Sequence, residues 1–250
     1  MFESSPLQNV RLVLSHTMYA GNLGSVARLV SNFEISDFVL AAPEAQINAP
    51  EALLYAREKS YLHLQNARIT NSLSESLLGC QIVIGFSRRD DGADAKSTIS
   101  VSKISELLKN NKVAVVFGRE DSGLSDNELE LCHFVCGLEA SPSNPSLNLS
   151  HAVAVVLAQL YEKALIKPEL STDESTVPWE ELDNLMQQWS VSMVEGELTQ
   201  NGNPQRMLQI MRQVFNRALL TQQEIQVFHG YISAMRKGMG TIKIREKTKN

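Results

Sequence analysis

The sequence predicts an α/β protein: a mostly parallel sheet with helices on both faces, followed by a small all-α appendage. Three observations carry this. Short apolar runs at residues 10–14, 38–41, 67–69, 82–85, 113–117 and 134–138 read as buried strands. Segments with apolar residues three or four apart lie between them. Beyond residue 166 the strand-like runs stop and only helical periodicity continues.

Taken in order, the run at 10–14 is followed by a helical pattern over 22–33, with Leu23, Val26, Ala27, Val30 and Phe33 on one face. Shorter helices are expected at 73–78, 101–108 and 125–131, and a longer one at 148–166. That last pattern starts where a Pro-punctuated loop holding Asn144, Ser146, Asn148 and Ser150 meets Ala152, Val153, Val156, Leu157 and Leu160. Ser and Asn side chains at such a junction cap free N–H groups or face a ligand. Residues 167–178, rich in Ser, Thr, Asp, Glu and Pro, read as an acidic linker. Helices follow at 179–194, 204–218 and 222–236. The last is preceded by Thr221 with Glu224 three residues on, a capping-box pattern. Residues 237–250, with two glycines and several Lys/Arg, read as a mobile tail. The expected organisation is a sheet domain at 1–166, a linker at 167–178 and a helical domain with a basic tail at 179–250.

The 250 residues suffice for one ordinary domain and a smaller companion. No apolar run approaches the roughly 18 residues of a membrane span. The first residues lack the basic and apolar regions of a secretory signal, so the cytoplasm is the expected location. Three cysteines, Cys80, Cys132 and Cys136, are too few and of the wrong parity for a disulfide framework. Cys132-His133-x-x-Cys136 has the look of half a metal site but no second ligand pair completes it, so no metal is expected. The net charge of −5 hides an asymmetry. Residues 162–202 hold 2 Lys/Arg against 9 Asp/Glu, and residues 203–250 hold 9 against 2. A basic terminal segment suits phosphate binding, and a solvated helix face gives the same pattern.

Two further motifs follow strands. Gly21-Asn22-Leu23-Gly24-Ser25-Val26-Ala27-Arg28 comes after the first, and Phe117-Gly118-Arg119-Glu120-Asp121-Ser122-Gly123-Leu124 ends the fifth. Each is expected to be a glycine-bearing loop at the carboxyl end of a strand, where ligands collect in open α/β sheets. With Ser146-Leu147-Asn148-Leu149 they form an ordered set that resembles the three motifs of the SPOUT-superfamily RNA ribose 2′-O-methyltransferases. The similarity extends to the TrmJ-type tRNA methyltransferases of bacteria. It continues through Met211-Arg212-Gln213-Val214-Phe215-Asn216-Arg217-Ala218 and His229-Gly230, covering roughly residues 8–238.

The resemblance implies a trefoil knot late in the sheet domain, S-adenosylmethionine as cofactor, a homodimer, and tRNA as partner, with methylation of cytidine or uridine 32 in the anticodon loop. It assigns catalysis to Arg28, Asn22, Glu120, Ser146 and Asn148. It assigns cofactor binding to Phe86, Ser87, Arg88, Gly118, Leu138, Pro145, Ser146 and Leu147. Arg28, Arg88, Arg89, Arg206, Arg212 and Arg217 are the candidates for RNA contact. The sequence departs from the family at Ala20, where proline is frequent, at Glu34, where a helix-ending glycine is usual, and at Arg57-Glu58-Lys59, which replaces a small-residue segment. Phe86 and Arg88 replace small residues, and Glu139 stands where some relatives have proline.

A guanidinium is a hydrogen-bond donor and not an acceptor, so Arg28 suits a grip on the phosphate beside the target ribose better than proton removal. His16 and Tyr19 are the aromatics available to an unstacked base. The alternatives are methylation of ribosomal RNA or of another tRNA position, a knotted RNA-binding protein without turnover, and a nucleotide-binding enzyme unrelated to RNA. The last lacks both the Gly-x-Gly-x-x-Gly and the Gly-Lys-Ser/Thr phosphate motifs.

Overall fold

Six strands join in one fully parallel sheet in the order β3-β2-β1-β5-β4-β6. They are β1 (Val10–Ser15), β2 (Asp37–Ala41), β3 (Arg68–Thr70), β4 (Ile82–Phe86), β5 (Val113–Phe117) and β6 (Phe134–Cys136). The structure is a computed structural model that describes residues 5–87, 98–138, 140–141, 143–144, 146–165, 175–195 and 205–247. Every residue of β1, β4 and β5 is buried. Central parallel strands are covered on both faces, which is why these runs are continuously apolar and not alternating. The chain divides into two compact units, Met1–Glu174 and Ser175–Asn250.

In the first unit the helices are α1 (Ala20–Asn32), α2 (Pro50–Gln65), α3 (Leu73–Leu77), α4 (Val101–Leu107), α5 (Asp126–Glu130) and α6 (Leu149–Leu165). Helix α1 packs on α2 and α6, and α4 also packs on α6. The first glycine motif is not the expected loop: residues 20–28 already belong to α1. Gly24 is needed because a methyl group there would strike the Ala52 carbonyl and come within 3.0 Å of Ala56 N. Glycine here lets two helix backbones cross closely.

Helix α2 was not among the predicted elements, and its composition explains why. Its buried positions are Ala52, Ala56, Ser60 and Leu64, four apart but mostly small. Its large apolar residues, Leu53, Leu54, Tyr55 and Leu62, are exposed. Hydrophobic periodicity therefore marks no face. The family departures at Glu34 and Arg57 sit on left-handed backbone, with φ of 53° and 62°. Glu34 nonetheless ends α1 in the usual glycine manner. Ile35 N–H reaches the Val30 carbonyl at 3.0 Å and Glu34 N–H the Ser31 carbonyl at 3.5 Å, a Schellman closure made by glutamate.

The second unit holds α7 (Trp179–Glu195), α8 (Gln205–Ala218) and α9 (Gln222–Lys247). Its core is Val177, Leu182, Leu185, Met186, Phe215, Leu220, Ile225 and Ile232, with Trp189 and Phe228 packed against it. The expected tail from residue 237 is instead the continuation of α9 through Lys247. Among the described residues no helix is long and apolar enough to cross a membrane.

Candidate active site

The sheet register brings four strand ends together. Phe86 of β4 lies beside Phe117 of β5 on one side and Cys136 of β6 on the other, and Leu14 of β1 also pairs with Phe117. The Phe86 and Phe117 rings stack, with centroids 4.7 Å apart and planes 12° off parallel. The loops leaving these ends enclose a cavity of about 180 Å³. This is the carboxyl edge of the sheet beside the point where strand order reverses.

One wall is the loop after β5. Arg119 N–H donates to the Gly123 carbonyl at 3.1 Å and Gly123 N–H returns a bond to the Arg119 carbonyl at 2.9 Å. A methyl group on Gly118 would run into the Gly123 main chain. Glycine at 118 thus lets this loop close on itself, and Gly123 supplies the φ of +71° that the turn requires. The closed loop carries Glu120, Asp121 and Ser122 to the cavity. Leu138, Ser146, Leu147, Leu149 and Ala152 also line it. Ser87 does too, its N–H bonded to the Cys136 carbonyl at 3.2 Å.

A polar chain connects the three motifs at the side of this cavity. Ser150 N–H and Oγ donate to Asn148 Oδ1 at 2.9 and 2.7 Å. Asn148 therefore caps α6. Its oxygen is fixed by a main-chain N–H, so its Nδ2 faces Asn22 and donates to Asn22 Oδ1 at 3.2 Å. Asn22 Nδ2 in turn donates to Glu120 Oε1 at 2.8 Å. The same carboxylate accepts the N–H groups of Met18 at 3.0 Å and Tyr19 at 3.3 Å. Every donor points towards Glu120, as an acceptor-only carboxylate demands. Asn148 thus both caps the helix and reaches into the site.

A second layer, absent from the sequence reading, lies beneath. Glu128 is 8% exposed. Its Oε2 accepts Ser125 N–H at 2.8 Å and Ser125 Oγ at 2.7 Å, closing the capping box of α5. Ser15 Oγ donates to its Oε1, with His16 Nδ1 at 3.3 Å, and Arg119 Nη1 lies 3.5 Å from its Oε2. Burial would raise the Glu128 carboxyl, but the Ser15 and Ser125 hydrogen bonds and the nearby His16 outweigh it and hold it low. The Ser-x-x-Glu spacing at 125–128 was readable as a capping box. That its acid would also receive the end of β1 was not.

The remaining predicted residues fall as follows. Phe86, Ser87, Gly118, Leu138, Ser146 and Leu147 line the cavity. Arg28 lies on α1 but is exposed and takes no part in the polar chain. Six residues of helix place it about 9 Å along from Asn22 and a third of a turn around. Arg212 is committed to Asp183 at 2.6 Å, whereas Arg206 and Arg217 are exposed and make no ion pair among the described residues. Arg88, Arg89 and Pro145 lie outside the described residues. His133 is structural: Val83 N–H donates to its Nδ1 at 3.1 Å. The described residues contain no cluster of three metal-ligating groups. Burial pushes the Cys80 and Cys136 thiols up to about 11.

The second and third motifs line a pocket at the strand ends of a parallel α/β sheet, and Asn22 of the first is tied to them through Glu120 and Asn148, an arrangement that suits a methyltransferase. Residues 9–158 match the SpoU rRNA methylase family, and the chain belongs to it. Within it the chain is similar to the tRNA (cytidine/uridine-2′-O-)-methyltransferase TrmJ of Cronobacter sakazakii, at 30% identity over 92% of this chain and 96% of the relative. It is also similar to TrmJ of Citrobacter koseri, at 28% identity over 92% and 97%. The crystal structure of TrmJ from Z. mobilis ZM4 shares its fold with a TM-score of 0.77, 22% identity, and coverage of 90% and 98%.

Proposed function

We propose that this enzyme methylates the 2′-hydroxyl of a tRNA ribose, at nucleotide 32 of the anticodon loop, with S-adenosylmethionine as donor and the cytoplasm as its place of work. The observation that carries the reading is the Glu120–Asn22–Asn148 chain beside a strand-end cavity. The residues present fit the donor. The stacked Phe86 and Phe117 with Leu138, Leu147 and Leu149 give apolar walls for an aromatic base, and Glu120 and Asp121 suit a cationic sulfur. When bound, that sulfonium supplies an already activated methyl group.

The protein's own part is alignment and charge. Holding reacting atoms about 3 Å apart removes several kcal/mol of barrier. Asn22 and Asn148 each keep one amide N–H beyond the polar chain, available to a substrate oxygen. Glu120, already accepting three hydrogen bonds, anchors Asn22 and the start of α1. Arg28 grips the phosphate next to the target ribose, and that phosphate or a water takes the hydroxyl proton. Arg206 and Arg217 hold the tRNA body by phosphate contact, which positions without reading sequence. The trefoil knot and homodimer of the superfamily belong to the same proposal, supported by family membership over residues 9–158. We likewise assign residues 1–166 to the methyltransferase domain and 179–250 to an RNA-holding helical domain.

Similarity to tRNA methyltransferases spans 92% of the chain, well past the family match, and favours tRNA over ribosomal RNA. The test is transfer of labelled methyl from S-adenosylmethionine to unmodified tRNA, with the modified ribose mapped. Label at nucleotide 32 is the expected result; label on ribosomal RNA alone overturns the substrate assignment.

A further inference from the structure

We propose that the ring of Tyr19 is the platform on which the base of the methylated nucleotide stacks, a reading that rests on the RNA methyl transfer proposed above. Tyr19 stands directly before α1 with extended backbone, φ −114° and ψ 121°. Its N–H is held by Glu120 Oε1 at 3.3 Å, and its carbonyl accepts from Asn22 N at 3.0 Å and Leu23 N at 3.3 Å. Both its peptide groups are thus fixed by the residues of the polar chain. The residue is nonetheless 57% exposed.

Neither the helix nor the core accounts for a tyrosine here. N-cap positions favour Ser, Thr, Asp and Asn, whose side chains bond the first turn. The Tyr19 side chain makes no such bond. The other aromatic at this strand end, His16, has its ring against Ser15 Oγ at 3.0 Å and Glu128 at 3.3 Å. Among the described residues, only Tyr19 combines a fixed backbone beside Asn22 and Glu120 with an exposed aromatic side chain. A second exposed ring lies close by. Tyr55, 54% exposed, reaches within 3.2 Å of where a methyl on Gly21 would sit, two residues beyond Tyr19.

The chemistry asks for such a group. An enzyme that must reach a ribose 2′-hydroxyl in a loop takes the nucleotide from its neighbours' stack, and the freed base needs a new surface. The base is one glycosidic bond from the ribose, so its platform must border the groups that hold the sugar. Stacking on an aromatic face tolerates either pyrimidine, because it reads no hydrogen-bonding edge.

The experiment is steady-state methylation of a full-length tRNA transcript by the intact enzyme and its Tyr19→Ala, Tyr19→Leu and Tyr19→Phe variants. In parallel, the same tRNA is used with an abasic ribose at the target nucleotide. Tyr19→Ala and Tyr19→Leu are expected to lower kcat/KM about 5- to 150-fold, the equivalent of about 1–3 kcal/mol. Tyr19→Phe is expected within about twofold of the unaltered enzyme, and calorimetric binding of S-adenosylmethionine is expected unchanged in all three. On the abasic tRNA the unaltered enzyme falls to the Tyr19→Ala rate, and Tyr19→Ala loses nothing more. Two results overturn the platform while leaving the activity standing: a Tyr19→Ala enzyme as fast as the parent, or a Tyr19→Ala loss that persists in full on the abasic substrate. An unaltered enzyme that modifies no tRNA removes the functional reading and the platform with it.

Discussion

Glu128 shows how one buried acid serves two purposes. It closes the N-terminus of α5 and receives the hydroxyl at the end of β1, directly under the loop that carries Glu120. Its carboxyl is held below the ordinary glutamate range. A group whose folded pKa is depressed stabilises fully above its unfolded value, roughly pH 4.3, and the contribution disappears as pH falls through the folded value. Glu128→Gln is therefore expected to destabilise the protein by about 1–3 kcal/mol at pH 7. Melting curves from pH 7 down to pH 3 should show the gap between variant and parent constant to about pH 5 and closing below it. A gap that widens in acid contradicts the assignment. Asp37 behaves alike at the other end of the sheet, where hydrogen bonds from Lys112 and Arg11 overcome its burial and hold it low.

Among the elements, α1 and α2 form the pair whose close contact rests on single residues. Gly24→Ala pushes a methyl into the Ala52 carbonyl, and overpacking of this kind costs about 1–3 kcal/mol. Glu34→Gly works the other way. Relief of a left-handed L-residue is worth about 1–2 kcal/mol, against roughly 0.5–1 kcal/mol for the added freedom of glycine in the unfolded chain. A net gain of about 0.5–1 kcal/mol is expected. Denaturant midpoints of the two variants should move in opposite directions, and a shared direction would mean the helix crossing is looser than the backbone geometry requires.

These two helices also mark where the sequence was readable. Strands β1, β4 and β5 announce themselves because full burial leaves continuous Val, Ile and Leu. Helix α2 does not, because its partner is a glycine and its buried stripe is Ala and Ser. In the site, the three motifs name Asn22, Glu120 and Asn148, yet only the folded chain shows that these side chains form one directed chain. The family resemblance also groups Arg28 with Asn22; the helix places it about 9 Å further along α1, exposed and outside the polar chain. Glu128 and Phe117 needed the register of β1, β4 and β5, which no local pattern encodes.

For the whole molecule, charge is the informative quantity. Within the second unit, described acidic residues of α7 pair with basic residues of α8 and α9. Arg212 pairs with Asp183, and Arg236 meets Glu195 through two bonds of 2.9 Å. Arg206 and Arg217 stay exposed and outside these pairs. Their joint replacement by alanine is expected to weaken tRNA binding and to lower the slope of log affinity against log salt by about 1–2, since each phosphate contact contributes somewhat under one. kcat at saturating tRNA should hold. Filter binding across a salt series measures the slope, and an unchanged slope removes both arginines from the RNA surface.

The direction of the polar chain is dictated by one main-chain N–H, that of Ser150. Spontaneous deamidation of Asn148 would exchange its NH2 for a second oxygen and still cap α6. The aged molecule would keep that cap, while two oxygens confronted each other at Asn22. Turnover lost ahead of any change in melting temperature is the mark that such chemical ageing would leave.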